Sequence, residues 1–178
     1  MIYYESNEFN IRDIRQDDVI RLFYWSVDKE LNKHDPKPIP RNAKELMAEC
    51  NDYCTRFDKE VMSDNVENIK YKYFIITNNE DTPIGFVNFF SIDKIKKQGE
   101  MGVKLGDIRY WSKGIAYSAV STIINYIFKN MDIDRIHIET GESNTAALKL
   151  FNKLNFNKCG EYLEDEDFKF IVMEKFKR

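Results

Sequence analysis

The chain has 178 residues, enough for one domain (1–178) with a proper core, and its 43% hydrophobic and 32% charged content is that of a globular protein. A formal net charge of −3 argues against a general nucleic-acid surface. No apolar run approaches membrane-spanning length and no charged-then-apolar leader opens the chain, so the expected compartment is the cytoplasm and no membrane partner is expected.

In chain order, Phe9 to Arg15 alternates like a strand. Asp17 or Asp18 can cap a helix whose inner face carries Val19, Leu22, Phe23 and Val27. The proline-rich stretch from Asp35 to Pro40 must be a loop. A second helix is expected from about Asn42 to Phe57. Tyr71 to Thr77 and Ile84 to Ile92 read as a hairpin around a polar turn, and the strand from Glu100 to Leu105 is expected to pair with its second arm. A helix after Gly114 repeats apolar residues at Ile115, Ala119, Ile123, Tyr126 and Ile127. Asp134 to Thr140 is a further strand. Asn144 then opens a helix that buries Ala147, Leu148, Phe151 and Leu154. Strands from Phe156 to Leu163 and Phe168 to Phe176 close the chain. Strands first, then a β–α–β unit, then a hairpin imply a mixed sheet flanked by helices, an α/β (α+β) fold.

Cysteines and histidines add little chemistry. Cys50, Cys54 and Cys159 form no CxxC pair; Cys50 and Cys54 lie one helical turn apart and read as buried apolar residues. His137 alternates with Ile136 and Ile138 and reads as structural, while His34 lies in a polar loop. The spacing contains no metal-ligand cluster, so no metal is expected.

The segment Trp111-Ser112-Lys113-Gly114-Ile115-Ala116 carries the most chemistry. Small residues between a strand and a helix let backbone N–H groups converge in front of the helix, where a diphosphate fits. The segment reads Trp111-x-x-Gly114-x-Ala116, and it resembles the Q/R-x-x-G-x-G/A motif of the GNAT acetyltransferase superfamily. Tyr110-Trp-Ser-Lys-Gly-Ile-Ala-Tyr-Ser-Ala119 and Ser143-Asn-Thr-Ala-Ala-Leu-Lys-Leu-Phe-Asn-Lys-Leu-Asn-Phe156 resemble the branch that includes ribosomal-protein N-terminal acetyltransferases. The resemblance implies a mostly antiparallel seven-stranded sheet, with a splay between its fourth and fifth strands where acetyl-CoA enters. By the same resemblance the diphosphate sits on backbone N–H groups from Ser112 to Ile115, with Lys113 adding charge. The pantetheine arm pairs with the backbones of Val103 and Leu105; one extra residue between Gly102 and Trp111 leaves that register open by one. Asn144 and Lys153 match further cofactor-contacting positions.

For the reaction, Glu100 stands where several family members place a general base. The family's usual acid, a Tyr, is replaced here by Phe151, a branch Ser by Ala147 and a branch Glu by Ser118. Either the thiolate leaves without side-chain help, or another residue such as Tyr117 or Tyr162 serves as the acid, with Tyr162 taken as the catalytic candidate. Trp25, Asp28, His34 and Asp35, with the acidic run Glu164 to Asp167, are candidate acceptor contacts. The implied activity is acetyl transfer to a primary amine by a monomer or homodimer; the alternative is a GNAT-fold module that binds acyl-CoA without turnover.

Overall fold

The computed structural model describes residues 1–35, 37–62, 70–164 and 168–178. They contain eight strands and four helices: β1 (Ile2–Glu5), β2 (Asn10–Asp13), α1 (Val19–Val27), α2 (Ala43–Glu60), β3 (Tyr71–Thr77), β4 (Pro83–Asp93), β5 (Gln98–Leu105), α3 (Ile115–Asn130), β6 (Arg135–Gly141), α4 (Thr145–Lys153), β7 (Asn157–Glu164) and β8 (Phe168–Phe176). One sheet contains all eight in the order β1-β2-β3-β4-β5-β6-β8-β7. Every neighbouring pair is antiparallel except β5 and β6. The expected count of seven is corrected to eight. The additional strand, β1, is only four residues long and pairs with β2 alone, so it carries little periodicity of its own.

The sheet's two faces are covered differently. Ile84, Val87, Phe89, Met101, Ile136 and Ile138 meet the inner stripes of α3 and α4, among them Ile115, Ala119, Ile123, Ile127 and Phe151, in the main core. The other face carries Ile75, Tyr73 and Phe86 against Val19, Leu22 and Trp25 of α1 and Phe57 of α2. Cys54 joins that second cluster at its edge; both Cys50 and Cys54 are half-buried rather than core residues.

Asp18 does not cap α1 with its side chain. Its carboxylate instead accepts two hydrogen bonds from the buried Arg12 guanidinium, at 2.7 and 3.0 Å, and one from the Arg15 backbone N–H. A buried guanidinium left without a carboxylate is costly, and that need decides where Asp18 points. The helices α2 and α4 do start as expected, with Asn42 accepting from the Glu45 N–H and Asn144 from the Ala147 N–H. Among the described residues, no helix is long and apolar enough to cross a membrane.

Candidate active site

The sheet opens between its fifth and sixth strands. The two are paired at Gln98, Gly99 and Glu100 opposite Arg135, Ile136 and His137, and pairing stops there. From Met101 to Leu105, β5 pairs only with β4. Just past the end of β5, the Gly106 N–H donates to the Ile84 carbonyl at 2.9 Å. Antiparallel ladders alternate, so the neighbouring residues Leu105, Val103 and Met101 aim their backbone groups away from β4 and into the splay. The Leu105 carbonyl accepts there from the Trp111 indole N–H at 2.9 Å. Val103 and Leu105, the residues expected to pair with the pantetheine arm, are thus among those whose backbone groups face the splay.

Beyond Leu105 the chain makes a short 3₁₀ turn, Ile108–Tyr110, and reaches α3 through Trp111, Ser112, Lys113 and Gly114. Ser112 and Gly114 both have positive φ, +60° and +81°. The second of these is the N-cap of α3 in the left-handed region, which a glycine adopts without penalty. No side chain caps this helix end, and the N–H groups of its first turn, Ile115 and Ala116 included, have no intrahelical partner. A Cβ built on Gly114 would meet no atom within 4 Å. Open space, orphan N–H groups and the positive end of a helix dipole suit the diphosphate of coenzyme A. Lys113 lies with its Nζ 5.5 Å from the Tyr110 ring, and Trp111 is 39% exposed. Asn144 spends its side-chain oxygen on capping α4. Lys153, at the end of α4, sits with Nζ 4.5 Å from the ring of Tyr117, tying that end to the start of α3.

The other half of the site lies on the opposite face of the sheet. Side chains of Glu100, Lys104 and the position of Gly106 share this face, because a Cβ on Gly106 would run into the indole of Trp25 at 2.0 Å. Trp25 itself is only 7% exposed and stacks on Phe86. The expected acceptor contact at Trp25 is thus placed in the core beneath the end of β5, with little of its ring exposed. Asp28 ends α1, and its carboxylate accepts from the Leu31 N–H at 3.0 Å. His34 follows, with Nδ1 2.9 Å from the Ser143 hydroxyl, so the loop after α1 is pinned to the loop before α4. Of the expected acidic run, Glu164 ends β7 and Asp165 to Asp167 lie outside the described residues.

Glu100 sits at the apex of the splay, as the last residue paired with β6. Across from it, His137 and Glu139 project from the same face of β6, and one possible donor atom from each of the three lies within 4.8 Å of the others. These are metal-ligating residue types that spacing along the chain did not bring together. They form an acid–base cluster. Burial, followed by the charge of Glu139, pushes the Glu100 carboxyl up to about 7, so it exchanges its proton near neutrality. Burial and then Arg135 hold the His137 imidazole below its ordinary value, so at 3.8 Å from Glu100 it is a neutral neighbour and no ion pair. Tyr162 reaches over from β7 and donates its phenol proton to Glu139 at 2.5 Å. Burial, then this bond, raises the phenol above its ordinary value.

Lys104, also missed in the sequence, points to the same face and donates to Asn32; burial pulls its ammonium below the ordinary lysine value. The signal that could have found His137 and Glu139 is the alternation Arg135-Ile-His-Ile-Glu139, which puts every polar residue on one side of a strand.

Comparison with known proteins fits this geometry. Residues 8–157 match the acetyltransferase (GNAT) domain model. An uncharacterized N-acetyltransferase of Bacillus licheniformis, p20, is 31% identical over 140 residues, 77% of this chain and 71% of that protein. The spermidine N-acetyltransferase of Vibrio cholerae, solved with CoA and spermine, superposes with a TM-score of 0.76 at 14% identity, covering 96% of each chain. The ribosomal-protein-S5-alanine acetyltransferase of Vibrio fischeri gives 0.75 at 23% identity over 97% of this chain and 95% of that one. The residues from 8 to 157 and the fold built on them establish that this chain belongs to the GNAT acetyltransferase family.

Proposed function

We propose that this protein moves an acetyl group from acetyl-CoA to a primary amine, by direct attack of the amine in a ternary complex. The observation that carries the reading is the coincidence of three features in one place: the uncapped, glycine-started α3, the free edge of β5, and Glu100 at the apex of the splay where they meet. The first suits a diphosphate, the second an extended arm with amide groups, and the third a proton to be removed. Acetyl-CoA supplies the activated acyl group when bound. Glu100 takes one proton from the ammonium form of the amine and passes it to water; the freed lone pair attacks the thioester carbonyl, the C–N bond forms, the C–S bond breaks, and one of the two remaining N–H protons leaves with the sulfur. Phe151 is buried and has no proton to give, and the phenol of Tyr162 is committed to Glu139. A thiol with an ordinary value near 8.5 leaves without a dedicated acid, so we assign Tyr162 to holding Glu139 rather than to protonating the sulfur. Asp28 and His34 line the acceptor side. We read the protein as a cytoplasmic enzyme, monomeric or homodimeric, working without a metal.

The test is a melting experiment with coenzyme A. At 100 times its dissociation constant the ligand should stabilise the protein by about 2.7 kcal/mol. Gly114→Glu should remove the shift, because a carboxylate then occupies the open space over the helix end. Gly114→Asn controls for the strained φ, since Asn tolerates that region and adds no charge; it should melt near wild type and keep most of the shift. Equal shifts for wild type and Gly114→Glu would overturn the assignment of the loop.

The loss of the family Tyr at Phe151 favours the second reading, a module that binds acyl-CoA without turnover. Spermidine, a peptide beginning with alanine and an amino sugar, each assayed for acetylation, separate the two.

A further inference from the structure

Trp111 stands at the mouth of the splay with its polarity reversed. An indole at a surface usually turns its N–H outward and buries its hydrocarbon. Here the N–H points inward, to the Leu105 carbonyl at 2.9 Å, and the side chain is left 39% exposed. The backbone on either side holds it there. The Trp111 N–H donates to the Ile108 carbonyl at 3.1 Å, closing the 3₁₀ turn, and the next residue, Ser112, has a φ of +60°. A serine enters that left-handed region at a cost, so the contacts around the turn must maintain it. The carbonyl that the indole takes is one of those aimed away from β4 and into the splay. A partner alongside β5 would run about 4.8 Å from it. Next to the Leu105 carbonyl, the indole stands in that track.

We propose that Trp111 fixes the seat and the register of the pantetheine arm, its N–H ending the ladder at Leu105 and its exposed ring face receiving the apolar part of the arm. This rests on the acetyl-CoA reading above and deepens it. Coenzyme A carries a dimethyl-substituted carbon between its diphosphate and its first amide. Trp111 occupies the corresponding stretch of this chain. The N–H groups suited to the diphosphate begin just after it, at Ser112, and the strand edge suited to the amides begins where its indole ends, at Leu105. With the Leu105 carbonyl taken, the Leu105 N–H and both backbone groups of Val103 are left for the amides of the arm. Two methyl groups against an indole face are an apolar contact that a nucleotide without the arm does not make. Trp111 therefore selects pantetheine thioesters over ordinary nucleoside diphosphates. The loop from Ser112 to Ile115 cannot make that choice, because its N–H groups meet the same diphosphate in both.

The experiment compares coenzyme A with ADP, which has the diphosphate and no arm. Binding is followed at the Gly114 and Ala116 amide resonances, which register weak ligands as well as tight ones. Trp111→Ala should weaken coenzyme A about 15-fold, the worth of burying two methyl groups, and leave ADP unchanged. Trp111→Phe keeps an apolar ring and lacks the N–H, so it should weaken coenzyme A less than Trp111→Ala does. Hydrogen exchange reads the register. In the wild type, the Trp111 indole N–H should stay protected with coenzyme A bound, and the Val103 and Leu105 amide protons should gain protection with coenzyme A and not with ADP. Trp111→Phe should reduce that gain, because the freed Leu105 carbonyl lets the arm slide. Equal weakening of both ligands in Trp111→Ala would make Trp111 a support of the loop alone and overturn the proposal. So would an unchanged affinity for coenzyme A, or an indole N–H that loses its protection when coenzyme A binds. If neither ligand moved the Gly114 and Ala116 resonances, the diphosphate reading of the loop would fall first, and this proposal with it.

Discussion

Glu100→Gln is expected to lower turnover about 10²–10⁴-fold at neutral pH, the usual worth of general-base help. The direction with pH follows from the group's environment. Glu100 acts as a base only when ionised, and its carboxyl exchanges near 7. The wild-type rate should therefore climb as pH rises through 7 and then level, and the variant should lack that limb. With a lysine-like amine, whose ordinary value is about 10.4, the variant should recover toward high pH as hydroxide takes over. With an α-amine near 8, the deficit should be smaller throughout, because a fair fraction is already neutral. A pH–rate profile of both forms checks this; superimposable profiles would remove Glu100 from the mechanism.

The same substitution has an opposite expected effect on stability. The folded-state value lies above the unfolded one, so the contribution of Glu100 is fully present below about 4.5 and is lost as pH rises through about 7. Glu100→Gln should unfold at the same denaturant midpoint as wild type at pH 4. At pH 8 it should be more stable by about 1–2 kcal/mol, a figure already reduced for the screening that its partial solvent contact allows.

Phe151→Ala should cost about 3–5 kcal/mol of folding free energy. The ring is 3% exposed and meets Phe156 edge-on at 5.1 Å. Its own carbonyl accepts from the Leu154 and Phe156 N–H groups, so the residue also anchors the turn that delivers the chain into β7. Deleting the ring leaves a cavity between α4 and the sheet at the point where the last hairpin begins. Urea unfolding followed by circular dichroism measures the loss. A variant that kept its midpoint but lost activity would show that Phe151 works in the site and not in the core.

Much of the fold was legible because strong periodicity fixes elements. Tyr71 to Thr77 and Phe168 to Phe176 are observed with the expected ends, and Gly114 and Asn144 stand at helix starts as their chemistry demands. Failures occurred where a residue's partner lies far along the chain. Asp18 reads as a cap until Arg12 is seen to need it. Trp25 reads as an acceptor contact near a polar loop, and its packing over Gly106, 81 positions away, is visible only in the fold. The carboxylate cluster was illegible for the same reason. Glu100 and Glu139 are 39 positions apart, and only the parallel pairing of their strands makes them neighbours.

That pairing has a mechanical consequence. β5 and β6 are joined over three residue pairs, whereas β6 and β8 share seven. The sheet is thus two stiff leaves on a short spine, and the spine's last stitch is Glu100 opposite His137. A small change in the angle between the leaves displaces the far ends of the wedge by the most and the apex by the least. Glu100 occupies the pivot, where its distance to Glu139 is best preserved as the angle between the leaves changes.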